Sequence, residues 1–317
     1  MGDPGDLLPE RYDELVDNSG ELDVFCSSTD WIVPAHLTWG PRDLLVAADD
    51  GAGLALARMA TTWGGPVLCG LDPVWGFACP VIGVDPRSGA ELTARVLGRR
   101  GVHWDAALLT GLLPGSRREA CLVELLGSRY RLRQGPAMTR CLADLGEGLD
   151  RFLARRSASF RRNLRQAERR WQSLALDVEL VCGGGTEVID RCVAIERRSW
   201  KGAEAAGLTD STFAAFYRAM ASRLEGEGRL RAGFARHEGC DVGFILGAVR
   251  GGRYRGLQLS YDDRYARCSV GNVLQLRQMA ALIGEGVVEY DLGMDMAYKL
   301  LWSDRELTTR TLVVVRR

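Results

Sequence analysis

Arg231-Ala232-Gly233-Phe234-Ala235-Arg236, Asp241-Val242-Gly243-Phe244-Ile245-Leu246-Gly247-Ala248-Val249 and Tyr254-Arg255-Gly256-Leu257-Gln258-Leu259-Ser260-Tyr261 follow one another with only His237-Glu238-Gly239-Cys240 and Arg250-Gly251-Gly252-Arg253 between them. Short runs of this kind bounded by glycine turns read as three consecutive strands of a meander. A helical pattern over 271–284 and the strand Val287-Val288-Glu289-Tyr290-Asp291-Leu292 come next. Meander, helix and returning strand make an α/β unit with a mixed sheet.

The first half repeats the order less clearly. Asp43 to Ala48 and Leu54 to Ala57 flank a glycine turn at 49–53 and read as a hairpin; residues 87–100 carry a helical pattern, and Ala106 to Leu109 read as a buried strand. The expectation is two tandem copies of one α/β unit, 1–145 and 146–317, with a cleft where they meet. Length and a hydrophobic fraction of 46% allow each copy a core. Between the copies lies an arginine-rich helix, with eight arginines (151, 155, 156, 161, 162, 165, 169 and 170) and one acid, Glu168, over 151–171.

Formal charge balances at 41 basic and 41 acidic residues, so no global field draws in nucleic acid or membrane, and any such partner must use a local patch. Met1 to Asp6 lack the basic start and apolar run of a signal peptide, and no run approaches the roughly 18 apolar residues of a spanning helix. A cytoplasmic protein without membrane insertion is expected. Nine cysteines scattered singly and three histidines argue against a metal site or a disulfide framework. Only two lysines, Lys201 and Lys299, stand among the 41 basic residues. In so arginine-biased a chain they mark positions where a planar, permanently charged fork does not replace a compact ammonium with a movable pKa.

Six segments in order over 157–302 resemble the CelD-like acetyltransferase domain of the GNAT superfamily, close to the Fem-type aminoacyltransferases. They are Ser159 to Ala167, Glu196 to Gly202, Leu259 to Asp262, Ser269 to Leu274, Tyr290 to Asp295 and Tyr298 to Trp302. The first half is similar in layout, including a Ser28-Thr29-Asp30-Trp31 opening. The resemblance implies a GNAT-like fold in two tandem units, the first degenerate, and transfer of an acyl group by direct attack of an amine, without a covalent enzyme intermediate. The usual R-x-x-G-x-G/A pyrophosphate loop is replaced by Arg267-Cys268-Ser269-Val270-Gly271-Asn272. Ser269, Gly271 and Asn272 still precede a helix whose free N–H groups suit a phosphate.

Such chemistry needs an amine deprotonated, an oxyanion stabilised and a leaving group protonated. Asp291, a carboxylate ending an apolar strand, and Glu196, one helical turn before Ser199 and Trp200, are candidate bases. Tyr261 and Tyr298 are candidate acids or substrate anchors. By analogy with the Fem-type lysine, Lys299 is expected to stabilise developing negative charge, where one oxyanion donor contributes about 3 kcal/mol. Trp200 and Trp302 are expected to wall the substrate cleft, Lys201 to bind substrate, and Arg162 and Arg165 to bind donor phosphates. The expected function is an N-acyltransferase taking acyl-CoA or another carrier-bound acyl thioester to a small-molecule amine. A transferase dependent on aminoacyl-tRNA, and an inactive GNAT-fold binding protein, are the alternatives.

Overall fold

A computed structural model describes residues 8, 11–40, 43–61 and 64–317; the reading of Met1 to Asp6 lies outside these described residues. Contacts divide the chain into one unit of Met1–Thr139 with Thr308–Arg317, and a second of Arg140–Leu307. From sequence a single boundary near residue 145 is expected, whereas the chain crosses twice.

The first unit opens with helices α1 (Tyr12–Asp17), α2 (Val24–Ser27) and α3 (Thr29–Trp39). Strands β1 (Asp43–Asp49), β2 (Ala52–Thr61) and β3 (Gly64–Gly70) form the antiparallel meander, and β4 (Val81–Gly83) adds to β2. Helix α4 (Pro86–Leu97) carries the chain to β5 (Ala106–Leu112), which lies parallel to β3; helix α5 (Arg117–Gly127) and β6 (Arg131–Asp144) follow. The expected hairpin is seen in full, Asp49 pairing with Ala52.

The second unit takes the end of β6 and continues through α6 (Leu149–Ala154), α7 (Ala158–Ser173), β7 (Asp177–Cys182), α8 (Gly185–Glu196), α9 (Trp200–Ala203) and α10 (Ser211–Glu225). Strands β8 (Leu230–His237), β9 (Cys240–Arg250) and β10 (Arg253–Tyr261) are the meander read from sequence. Helix α11 (Val270–Gly284) returns the chain to β11 (Glu289–Met294), parallel to β10 and antiparallel to β6. After α12 (Ala297–Leu300), strand β12 (Arg305–Val315) pairs with β5. Residues 308–317 therefore belong with the first unit, because Leu312 and Val314 bury against β5 there. Within each unit the order is meander, helix, parallel strand.

The arginine-rich segment is two helices, interrupted where Ser157 caps α7 by accepting the Phe160 N–H at 3.2 Å. Phe160, Leu164, Ala167 and Trp171 recur at helical spacing and turn inward. The second-unit core beneath them gathers Phe152, Tyr254, Met279, Tyr290 and Trp302. Trp302 packs edge-on against Phe160 at 5.0 Å and stacks on Phe152 at 6.3 Å. It is a core residue, not a cleft wall, since a buried indole there covers the α6–α7 junction.

Candidate active site

Two neighbouring irregularities shape the site. Strands β10 and β11 pair only at Arg253–Arg255 with Glu289–Asp291. Beyond that, β10 shifts register against β9 between Gly256 and Gln258, and β11 shifts against β6 between Asp291 and Met294. Gly293 is left-handed at φ 81°, the conformation that favours glycine. A Cβ at Gly256 would stand 2.8 Å from the Tyr290 ring, so this approach too requires glycine. The parallel pair parts after three residues, leaving strand edges with backbone groups that an extended ligand can meet.

Asp291 sits at the apex. Its Oδ2 accepts from Arg140 Nη1 at 2.5 Å and Arg255 Nη1 at 2.7 Å, and its Oδ1 from the Gly293 N–H at 2.8 Å. Both carboxylate oxygens are taken up by these donors, so Asp291 holds its neighbours in place, where the sequence suggested a base. The apolar strand signalled that Asp291 needed a partner. Arg255 is that partner because it stands opposite Asp291 in the parallel register, which no spacing in the sequence shows.

Lys299, on α12, reaches back into the same region. Its Nζ donates to the Met294 carbonyl at 3.0 Å and would lie 3.5 Å from a Cβ at Gly293. Burial first, then the Arg255 charge, push its pKa down to about 8, and the charge of Lys201 adds to the same effect. The two lysines of the chain thus act in one field.

Lys201 is fastened rather than free. Its Nζ donates to Gln258 Oε1 at 3.1 Å and the Leu259 carbonyl at 3.2 Å, and pairs with Glu196 at 3.1 Å. Gln258 in turn donates to the Tyr217 hydroxyl at 3.1 Å. Glu196 is fully buried, and its Oε2 accepts the Leu208 N–H at 2.5 Å. It ties the segment after α9 to α8, so the expected base is a fastener. Gly207 at φ 61° lets that segment pass over the carboxylate, since a Cβ there would lie 2.9 Å from Glu196 Oε2. Gln258 and Tyr217 had no signal in the sequence.

Of the remaining candidates, Trp200 is 54% exposed and Tyr298 45%. The Tyr298 ring centroid is 5.9 Å from Lys299 Nζ, and burial of its hydroxyl raises its pKa. Tyr261 is half-buried against the core beside Val270. Ser269 is left-handed at φ 57° and precedes α11, which Gly271 and Asn272 begin with Val270. The carbonyls of that loop are held from α7: Trp171 Nε1 donates to Cys268 at 3.1 Å and Arg170 to Arg267 at 2.8 Å. On the same helix Arg161 donates to the end of α6, including the Arg156 carbonyl at 2.5 Å. Arg155 and Arg156 close on Asp304. Arg162, Arg165 and Arg169 are exposed, and none has an ion pair among the described residues.

The first unit has the corresponding opening and fills it. Pairing of β3 with β5 stops at Cys69 and Leu108, and Gly111 in β5 is left-handed at φ 68°. A Cβ at Gly111 would stand 2.6 Å from the Phe77 carbonyl oxygen. The loop containing Phe77 and Ala78 is buried there, with the Ala78 carbonyl accepting from Thr110 Oγ1 at 2.7 Å and the Cys79 N–H donating to Ser27 Oγ at 3.0 Å.

Residues 158–300 match the family described as acetyltransferase (GNAT) domain. The match lies wholly within the second unit, which is thereby similar to acetyltransferase (GNAT) domains. Among solved structures its fold is similar to FemX (11% identity, 95% of each chain, TM-score 0.68). It is also similar to a Bacteroides thetaiotaomicron protein of unknown function (14%, 96% of this chain and 97% of that one, TM-score 0.65). A tandem GNAT protein from the clavulanic acid pathway aligns over 100% of this chain and 97% of its own (13%, TM-score 0.50). These likenesses establish the tandem GNAT fold. No curated protein matches the chain by sequence.

Proposed function

We propose that the second unit transfers an acyl group from a thioester carrier, best acyl-CoA, to the primary amine of a small molecule. The observation that carries this is Lys299, held against the place where β10 and β11 part, with its ammonium half-desolvated. The donor arm lies along the parted strands with its phosphate end toward Ser269, Gly271 and Asn272, and the acyl carbon faces Lys299. The amine attacks that carbon to form the C–N bond and a tetrahedral oxyanion, which collapses as C–S breaks; the carrier leaves as a thiol, and one proton of the new ammonium passes through solvent to restore the Tyr298 hydroxyl. Lys299 stabilises the oxyanion, and Tyr298 beside it protonates the leaving sulfur. Trp200 borders the acceptor. Arg255, Arg140 and Asp291 hold the apex rigid, while Glu196 and Lys201 fasten the acceptor-side segment. Lys299→Met should lower kcat and kcat/KM together about a hundredfold, read as thiol release from acyl-CoA, with Lys299→Arg restoring only part. An unchanged kcat in the methionine variant removes Lys299 from the mechanism.

A second reading, an aminoacyl-tRNA donor, is favoured by one observation, the exposed arginines 162, 165 and 169 along one face of α7. Filter binding of deacylated tRNA over a salt series separates the two. A shallow slope is expected for wild type. Submicromolar binding whose steep slope shrinks by about one unit per contact removed when these arginines become alanine favours tRNA.

A further inference from the structure

Five of the eight side chains from Met294 to Leu301 are large, apolar and exposed: Met294, Met296, Tyr298, Leu300 and Leu301. Leu301 is 58% and Met296 51% exposed. Single exposed leucines are ordinary on a soluble surface; a contiguous run of this size marks a place where apolar matter binds. The same stretch carries Lys299, whose Nζ is bonded to the Met294 carbonyl and lies 5.9 Å from the Tyr298 ring. The apolar run is thus continuous with the reaction centre proposed above.

We infer that this surface takes a linear hydrocarbon chain, the alkyl part of the donor's acyl group, so that the preferred donor is a medium- or long-chain thioester and not an acetyl one. This rests on the thioester reading. If Lys299 faces the acyl carbon, the next carbons along the acyl chain meet the side chains flanking Lys299. Two of these are methionines, unbranched and able to follow a flexible chain. A second copy of the protein is a poorer occupant, because one eight-residue segment interrupted by Asp295 and Lys299 is small against the about 800 Å² each partner contributes to a stable interface.

The test uses unreactive thioethers, from S-ethyl-CoA to S-decyl-CoA, titrated by calorimetry into the full chain and into Met296→Gln/Leu301→Gln. Both substituted side chains are exposed, so an unchanged thermal melt is expected of the variant. Wild-type Kd should tighten about fourfold per added methylene until the chain outruns the surface. The variant should lose most of that gain while binding S-ethyl-CoA as wild type does. A flat series with intact CoA binding overturns the inference and leaves the thioester reading standing. If neither CoA nor any thioether binds, that reading fails and takes the inference with it. A variant that keeps the chain-length dependence but raises KM for the amine assigns the surface to the acceptor, which also overturns the proposal.

Discussion

With its ammonium titrating at about 8, Lys299 gives the oxyanion role a pH signature. The rate should hold up to about pH 8 and fall above it as the cation is lost; a rate that rises through the same range would make Lys299 a base. Stability follows a different course. The folded pKa lies below the ordinary 10.5, so between the two values the unfolded chain binds more protons, and the unfavourable contribution, full below about pH 8, is relieved as pH climbs toward 10.5. Thermal melts of Lys299→Met should therefore exceed wild type at pH 7 and converge with it near pH 10.5. At Asp291 the opposite is expected: Asp291→Asn leaves two buried guanidiniums facing a neutral amide and should cost about 3–5 kcal/mol in urea unfolding. The sequence marked both residues through rarity, a lysine among arginines and a carboxylate in an apolar strand. It left Arg140, Gln258 and Tyr217 unmarked, because their meaning depends on partners between 41 and 151 residues away.

Local pattern revealed elements where one face is apolar and the ends carry turn signals. The β8–β10 meander and α11 are of that kind, and so is the inward face of α7. The parting of β10 from β11 was not legible, since it arises from two register shifts in pairings that are long-range. Gly293 is its most sensitive point. Gly293→Ala would place a side chain at φ 81° and 3.5 Å from Lys299 Nζ, and should lower kcat/KM at least tenfold with a stability loss of about 1–3 kcal/mol. Gly284, with nothing within 4 Å of its virtual Cβ and no positive φ, should tolerate the same change, and comparative kinetics of the two variants checks the difference.

For the molecule as a whole, one opening parts and the other is filled by its own loop, so calorimetry should find one donor site per chain. A stoichiometry of two would contradict the filling of the first unit by Phe77 and Ala78. Two similar halves could be read from the repeated order of elements, but the return of the chain to the first unit could not, because Leu312 and Val314 look like any buried strand and nothing in them names β5 as partner. No helix among the described residues is long and apolar enough to cross a membrane. The return also bears on how the protein is born. The second unit has all its strands once Leu307 has left the ribosome, whereas the first lacks β12, and the Arg310–Glu119 pair that fixes β12 to α5, until the residues that follow emerge. During synthesis the half made first must wait, with the β5 edge bare, while the half made second completes itself. A released chain truncated after Leu307 should accordingly show a protease-resistant second unit beside a first unit that is still digestible.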